Sequence, residues 1–490
     1  MEVFPPNPKP NNSVHVLIPL VVLIGLIGGS VMLFGLGAID GPVQVALILS
    51  ATVAAMVALK NGNPWSAVSA AEGKALASVS GAIFILLAVG ALIGTWNMAG
   101  TIPTLVYYGI KLLQPNWFYL AAAVICAVVS VAIGSSWTTA GTIGVGLVGI
   151  ALALGVSPAV TAGAVISGAY FGDKTSPLSE TTVLSAQMVE TDLYTHIRAQ
   201  LWTSGPAFLI ALVVFAVIGS QTEVTAGVET VTDLTKLSQL FWITPLTLAP
   251  MLLLGFLSYR KVPPSLAIMV AALVGGLTAI ALQPQAIIRF VNEPNTATPL
   301  VFIKGVWLAM ANGFSENSGI VDVDRLLSRG GMDSMLITLW IIIGAVTFGT
   351  IMEEFGMLAK LITPLLRRTR TTGGLFATAI ATAIGLNIFA GDQYIALVLP
   401  ARMFRVEFQN RGLQPQNLSR LAADAGTVTS PLVPWNSCGA FMAATLGVST
   451  FLYLPFAVFN IASPIVSLLY GITGFKIEKL PAGVTFPEDL

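Results

Sequence analysis

Four short stretches of this 490-residue chain gather oxygen-bearing side chains within apolar surroundings. Residues 134–139 hold Ser135, Ser136, Thr138 and Thr139; residues 172–182 hold Asp173, Thr175, Ser176, Ser179 and Glu180, with Lys174 among them. Residues 385–394 add Asn387, Asp392 and Gln393, and residues 424–437 add Asp424, Thr427, Thr429, Ser430 and Asn436. Carboxylate, hydroxyl and amide oxygens are hard donors that suit an alkali or alkaline-earth cation. The thiolates or clustered imidazoles that a transition metal prefers are missing from all four stretches.

The surroundings decide what such stretches are for. Only 9% of residues are charged, against roughly a quarter in a soluble domain, and 55% are hydrophobic. Runs long enough to span a bilayer, roughly 20 residues each, recur at 16–36, 43–59, 80–113, 201–218, 241–257, 267–282, 335–351 and 451–470. A soluble helix needs only one apolar stripe, so a single core burying all of these is set aside. The expected class is an all-α polytopic membrane protein. With 23 basic and 23 acidic residues the net charge is zero, which gives no bulk preference for nucleic acid. The bilayer is the expected partner. The first run is long and preceded by one base, Lys9, so it is expected to stay as a span and not to be cleaved as a signal. Cys126 and Cys438 stand apart in apolar context and read as buried thiols.

The chain also resembles itself. Thr175-Ser176-Pro177-Leu178 returns as Thr429-Ser430-Pro431-Leu432, Ala132-Ile133-Gly134 as Ala383-Ile384-Gly385, and Gly90-Ala91 as Gly344-Ala345, each about 250 residues on. So long a period predicts two homologous halves, residues 1–220 and 240–475, with a linker at 221–239 and a tail at 476–490. Cytoplasmic loops collect Lys and Arg. Arg367, Arg368 and Arg370 precede the run at 374–401, and Arg402, Arg405, Arg411 and Arg420 follow it, so both its ends are expected inside. It reads as a re-entrant hairpin. Its counterpart at 117–154, broken at Gly134, is expected to enter from outside. A broken helix follows each hairpin, at about 158–190 and 418–446. Five transmembrane helices per half is an odd number, so the second copy is expected inverted. Arg260-Lys261 and the acidic linker (Glu223, Glu229, Asp233) fit that path, which leaves both termini in the cytoplasm. Residues 65–77 and 301–329 read as interfacial helices, residues 80–113 as one kinked span or two, and His196 as a solvated loop residue.

In lipid every backbone N–H and C=O must be paired, so the breaks are expected to meet near the midplane around a shared pocket. A carboxylate there costs a few kcal/mol at least, which makes Asp173, Glu180, Asp392 and Asp424 functional, paired or protonated. Simpler roles compete. Hydroxyls and amides such as those of Thr142, Thr182 and Gln393 can serve only to join helices, and Pro177 and Pro431 can be plain kinks. Lys174 can neutralise Asp173, or face another carboxylate or a substrate. Glu353-Glu354 is a weaker candidate that could sit at the membrane surface. The candidate ion-binding set is Asp173, Thr175, Ser176, Glu180, Ser135, Ser136, Thr138, Asn387, Asp392, Asp424, Thr429, Ser430 and Asn436.

Gly168-Ala169-Tyr170-Phe171-Gly172-Asp173-Lys174-Thr175-Ser176-Pro177-Leu178-Ser179-Glu180-Thr181-Thr182, followed by Thr191-Asp192-Leu193-Tyr194-Thr195-His196, closely resembles the signature of NhaC-type sodium/proton antiporters. So do Gly391-Asp392-Gln393-Tyr394 and the string from Ser430 through Pro434-Trp435-Asn436-Ser437-Cys438 to Gly439. Glu180 departs from the aspartate of many members but keeps the carboxylate. The resemblance implies the ion-transporter superfamily fold, with inverted repeats and two hairpins, as a homodimer in the cell inner membrane. It implies exchange of Na+ for H+; within the candidate set the Na+ is expected at Asp173, Ser176, Asp392 and Asn436, with no cofactor beyond the transported ions. Relatives that couple these ions to malate and lactate leave organic-acid exchange as an alternative. A channel is disfavoured because paired broken helices suit alternating access, and no His-Glu-x-x-His or Gly-x-Ser-x-Gly motif suggests an enzyme.

Overall fold

The computed structural model describes residues 13–222, 235–319, 323–324, 327–367 and 369–480. The expectations for residues 1–12, most of the linker, Arg368 and the tail beyond 480 lie outside these. The chain begins with α1 (Ser13–Phe34), α2 (Pro42–Lys60) and α3 (Trp65–Met98). Gly100, at φ +74°, turns the chain into the short α4 (Thr101–Leu112). The long apolar run at 80–113 is therefore one long helix and a separate short one. Residues 65–77 are not an interfacial helix of their own but the first turns of α3, which nothing interrupts before Met98.

Next come α5 (Pro115–Ile133) and α6 (Ser136–Ala153), the arms of the first hairpin, and then the interrupted pair α7 (Pro158–Thr175) and α8 (Glu180–Met188). Proline at the first helical position starts α2, α5 and α7, where its missing N–H costs nothing. The first half ends with α9 (Leu193–Ser220). The second continues with α10 (Pro245–Tyr259), α11 (Pro264–Leu282), α12 (Pro284–Val291), α13 (Thr298–Asn312) and α14 (Asp333–Glu354). Of the residues expected to form one interfacial helix at 301–329, those up to Asn312 lie in α13, which ends before Gly313; beyond it Phe314 pairs with Arg329 in an isolated bridge.

After α15 (Met357–Arg367), the succession of hairpin and broken helix recurs. The arms α16 (Thr372–Phe389) and α17 (Gln393–Asn410) precede α18 (Pro415–Ala422), a π-turn at Ala423–Thr427 and a 3-10 turn at Ser430–Leu432. The chain resumes as α19 (Ser437–Leu446), α20 (Thr450–Phe456) and α21 (Val458–Thr473). The hairpin break is narrower than the sequence suggested, because helix persists through Gly385 to Phe389.

Among the described residues, nine helices are long and apolar enough to cross a membrane, or ten if α19 and α20, bent by 91°, count as one span. Leu17, Val21 and Ile24 on α1 and Leu209, Val213 and Val217 on α9 are exposed, as a lipid-facing surface requires. Two groups of helices form. In one, α5 lies along α7, α16 along α21, and α9 along α21, so both hairpins and both broken helices belong to a single bundle. In the other, α2 and α3 pack on α14, and α3 on α11. The α5–α7 contact is close because Gly168 has no side chain: a Cβ there would stand 2.1 Å from the carbonyl oxygen of Ala123.

A polar cavity between the interrupted helices

The first hairpin turns at Gly134, whose φ of +77° suits glycine and whose Cβ would fall 2.7 Å from the Leu178 carbonyl carbon. The tip therefore presses directly on the break between α7 and α8. Ser135 caps α6 by accepting from Thr138 N–H, and the next residue meets the break: Ser136 donates to Asp173 Oδ2 from its N–H at 3.0 Å and from its hydroxyl at 2.6 Å. A carboxylate thus faces the amide end of a helix, which the helix dipole favours. In the second half, Asp392 caps α17, its Oδ1 accepting from Tyr394 N–H at 2.8 Å and Ile395 N–H at 3.1 Å. The aromatic ring of Trp137 stacks on Phe441 of α19 at 4.0 Å between centroids, tying the first hairpin to the second broken helix.

These elements enclose a cavity of about 660 Å³. Ser135, Ser136, Thr138, Asp173, Glu180 and Asp392 line it, with Trp137, Gln393, Tyr394 and Ser437. Asp173 and Asp392 are almost wholly buried, and Glu180 is exposed. The residues flanking its other side are Ser78 of α3 and the turn from Ser258 to Pro264, including Lys261. Three carboxylates against one lysine give the cavity a negative potential that concentrates cations. Among the described residues, no group of three or more His, Cys, Asp or Glu side chains is arranged to hold a metal ion; a cation here would rest on carboxylates supplemented by hydroxyls.

Other candidates lie off the cavity wall and close the backbone of the breaks. Thr175 donates to Phe171 C=O at 2.8 Å and Ser176 to Val131 C=O at 2.8 Å. Asn387 donates to Gly426 C=O at 2.6 Å and to Thr429 Oγ1 at 3.0 Å, while Thr429 donates to Ala425 C=O. Ser430 donates to Thr427 C=O at 2.7 Å. Asn436 donates to Asn387 Oδ1 at 3.0 Å and accepts from Cys438 N–H. Of the four residues assigned to Na+, Asp173 and Asp392 face the cavity, whereas Ser176 and Asn436 are engaged in these bonds.

Asp424 is also elsewhere. Carried on the π-turn, it forms an ion pair with Lys174, their side chains 0% and 1% exposed. Its Oδ1 accepts also from Thr203 at 3.1 Å and Ser463 at 2.9 Å, while Oδ2 has no partner. Lys174 therefore faces another carboxylate and not its neighbour Asp173. His196 is not solvated: fully buried, it bonds Ser419 at 2.7 Å through Nδ1 and Gln200 at 2.7 Å through Nε2. The sequence held a signal for this, since His196, Gln200 and Thr203 recur at helical spacing on one face of an apolar helix. Cys126 and Cys438 are buried.

Interrupted helices around an acidic cavity, with nine helices among the described residues long and apolar enough to span a bilayer, define a polytopic helical membrane protein. The sequence matches the Na+/H+ antiporter family over residues 11–187 and 168–475, and the chain belongs to that family. It is 39% identical over 397 residues to the Na(+)/H(+) antiporter NhaC of Alkalihalophilus pseudofirmus, covering 81% of this chain and 83% of that one. It is 34% identical over 465 residues to the malate-2H(+)/Na(+)-lactate antiporter of Bacillus subtilis, covering 94% of this chain and 95% of that one. Among solved structures, Neisseria gonorrhoeae MtrF aligns with 95% of this chain at 13% identity and a TM-score of 0.39.

Proposed function

We propose that the protein exchanges Na+ for H+ across the cell inner membrane by alternating access, with Asp173 as the first cation ligand and Asp392 as the second. The observation that carries this is the shared cavity, to which an interrupted helix of the first half and the hairpin of the second each bring a buried carboxylate. Each carboxylate can hold a proton or a sodium ion, not both at once. Burial favours the protonated form and a bound cation the ionised one, so loading with one expels the other. Glu180 and the hydroxyls of Ser135, Ser136 and Thr138 supply further oxygens.

The two helix groups suit the transport step. The bundle of hairpins and broken helices moves against the first spans of the two halves, which are related by inversion, and the cavity is exposed to each side in turn. The side flanked by Lys261 also carries Arg260, and by the excess of basic residues it is cytoplasmic, as are both termini. A homodimer holds the outer group still. Malate/lactate exchange is the alternative, and Lys261 is the cavity's basic side chain for a carboxylate.

The test is reconstitution of the purified protein in vesicles, following internal pH when sodium is added with and without malate or lactate. Sodium alone is expected to drive proton movement, and Asp173→Asn to abolish it. Flux that appears only with the organic acid supports the alternative; full sodium-dependent flux in Asp173→Asn overturns the role of Asp173.

A further inference from the structure

A second cavity, of about 300 Å³, adjoins the first, and Ser78, Glu180, Asp392 and Tyr394 line both. Its remaining walls come from α3, through Lys74, and from α14, through Thr350 and Glu353. The consecutive glutamates at the end of α14 part company here, as neighbours on a helix must. Glu354 pairs with Lys74, an ion pair with side chains 36% and 64% exposed. Glu353 faces the cavity and, among the described residues, makes no ion pair. The charged groups within electrostatic reach of it are Lys74, Glu354, Arg402 and Asp392.

Lys74 bonds Glu354, which leaves Glu353 on the cavity wall without a direct ion-pair partner among the described residues. A half-buried carboxylate on the wall of a cavity that Asp392 also borders lowers the energy of a cation there. We propose that Glu353 draws the incoming cation into this side branch and passes it to Asp392, setting the apparent affinity for the transported cation without being one of its final ligands. The inference rests on the cation-exchange reading above and assigns Glu353 a positioning role within it.

The experiment measures sodium-dependent proton flux in vesicles for the wild type, Glu353→Gln and Glu354→Gln at low and high ionic strength, the latter set with N-methylglucamine chloride. Glu353→Gln is expected to raise KM for sodium about tenfold at low ionic strength with kcat within about twofold, in keeping with the lower end of electrostatic focusing. The difference should shrink to about twofold near 1 M salt, where the Debye length is only ~3 Å. Glu354→Gln should leave KM unchanged. A KM within about twofold of wild type at low salt overturns the proposal. So does a raised KM that is indifferent to salt, or a fall in kcat alone, either of which marks a merely structural glutamate. Sodium-induced thermal stabilisation of the purified proteins reads the same affinity shift without any flux, so failure of the exchange reading and failure of this one remain separable.

Discussion

Replacing Lys174 by methionine removes the ammonium from the Lys174–Asp424 pair and leaves a carboxylate in a site closed to solvent. Thr203 and Ser463 would still donate to Asp424 Oδ1, but Oδ2 has no partner even in the intact protein, so nothing local replaces the lost charge. Breaking a buried pair from one side costs about 3–5 kcal/mol, whereas removing both charges is often close to neutral. Asp424→Asn alone strands Lys174 and is expected to cost a similar amount. In Lys174→Met/Asp424→Asn both charges are gone and the amide oxygen keeps the acceptor for Thr203 and Ser463. Most of the loss should therefore be recovered, giving a coupling of about 3 kcal/mol or more in the double-mutant cycle. The assay is unfolding in detergent micelles followed by tryptophan fluorescence, on all four proteins. A single-variant cost under about 1 kcal/mol, or a double variant as unstable as the two losses added, would refute the view that this pair is held by mutual compensation.

Two further substitutions separate architecture from ion handling. Asp392→Asn keeps a good helix cap for α17 while removing the charge; stability should change by less than about 1 kcal/mol, while sodium-dependent proton flux is lost, and a variant that transports normally would remove Asp392 from the site. Gly134→Ala forces a side chain onto a backbone with φ +77° and into the Leu178 backbone 2.7 Å away, so folded protein recovered in detergent should fall by ~1–3 kcal/mol of stability, and wild-type unfolding would contradict the packing of the hairpin tip on the break.

Legibility from sequence followed a physical boundary. Charged and hydroxylic residues inside apolar runs stand out because lipid tolerates them only where they are paired or functional, so the interruptions at Gly134, Asp173, Asp392 and Asp424 could be read directly. What each polar residue does within its interruption could not, since that depends on neighbours far away in the chain. Lys174 had three plausible partners, and only the packing of α7 beside the π-turn selects Asp424. His196 was read as solvated because it was assigned to a loop, yet it lies within α9 and Ser419 of the other half covers it. The opening turns of α3, with Glu72 and Lys74, have the composition of a surface helix, and they remain one rod with the span that follows because neither proline nor a helix-ending glycine intervenes.

The same boundary explains why seven of the thirteen candidate ion ligands lie off the cavity wall. A broken helix leaves carbonyls and amides that must be satisfied before any oxygen can be offered to cargo. Ser176, Ser430 and Asn436 meet that need, since each bonds a main-chain group within its break or in a neighbouring helix, and Thr175 bonds back to the last turn of its own helix. In the proposed exchange Asp173 and Asp392 do both jobs by dividing their oxygens. The Ser136 bonds converge on Oδ2 of Asp173, and the α17 amides on Oδ1 of Asp392. One oxygen of each carboxylate is thereby fixed to the start of a helix, and the other has no backbone anchor. A proton or cation taken up on that second oxygen alters the charge at a helix terminus while the turn beneath it stays hydrogen-bonded. In the proposed exchange, cargo would then bias how the hairpins sit in the bundle without unravelling the breaks that make the cavity.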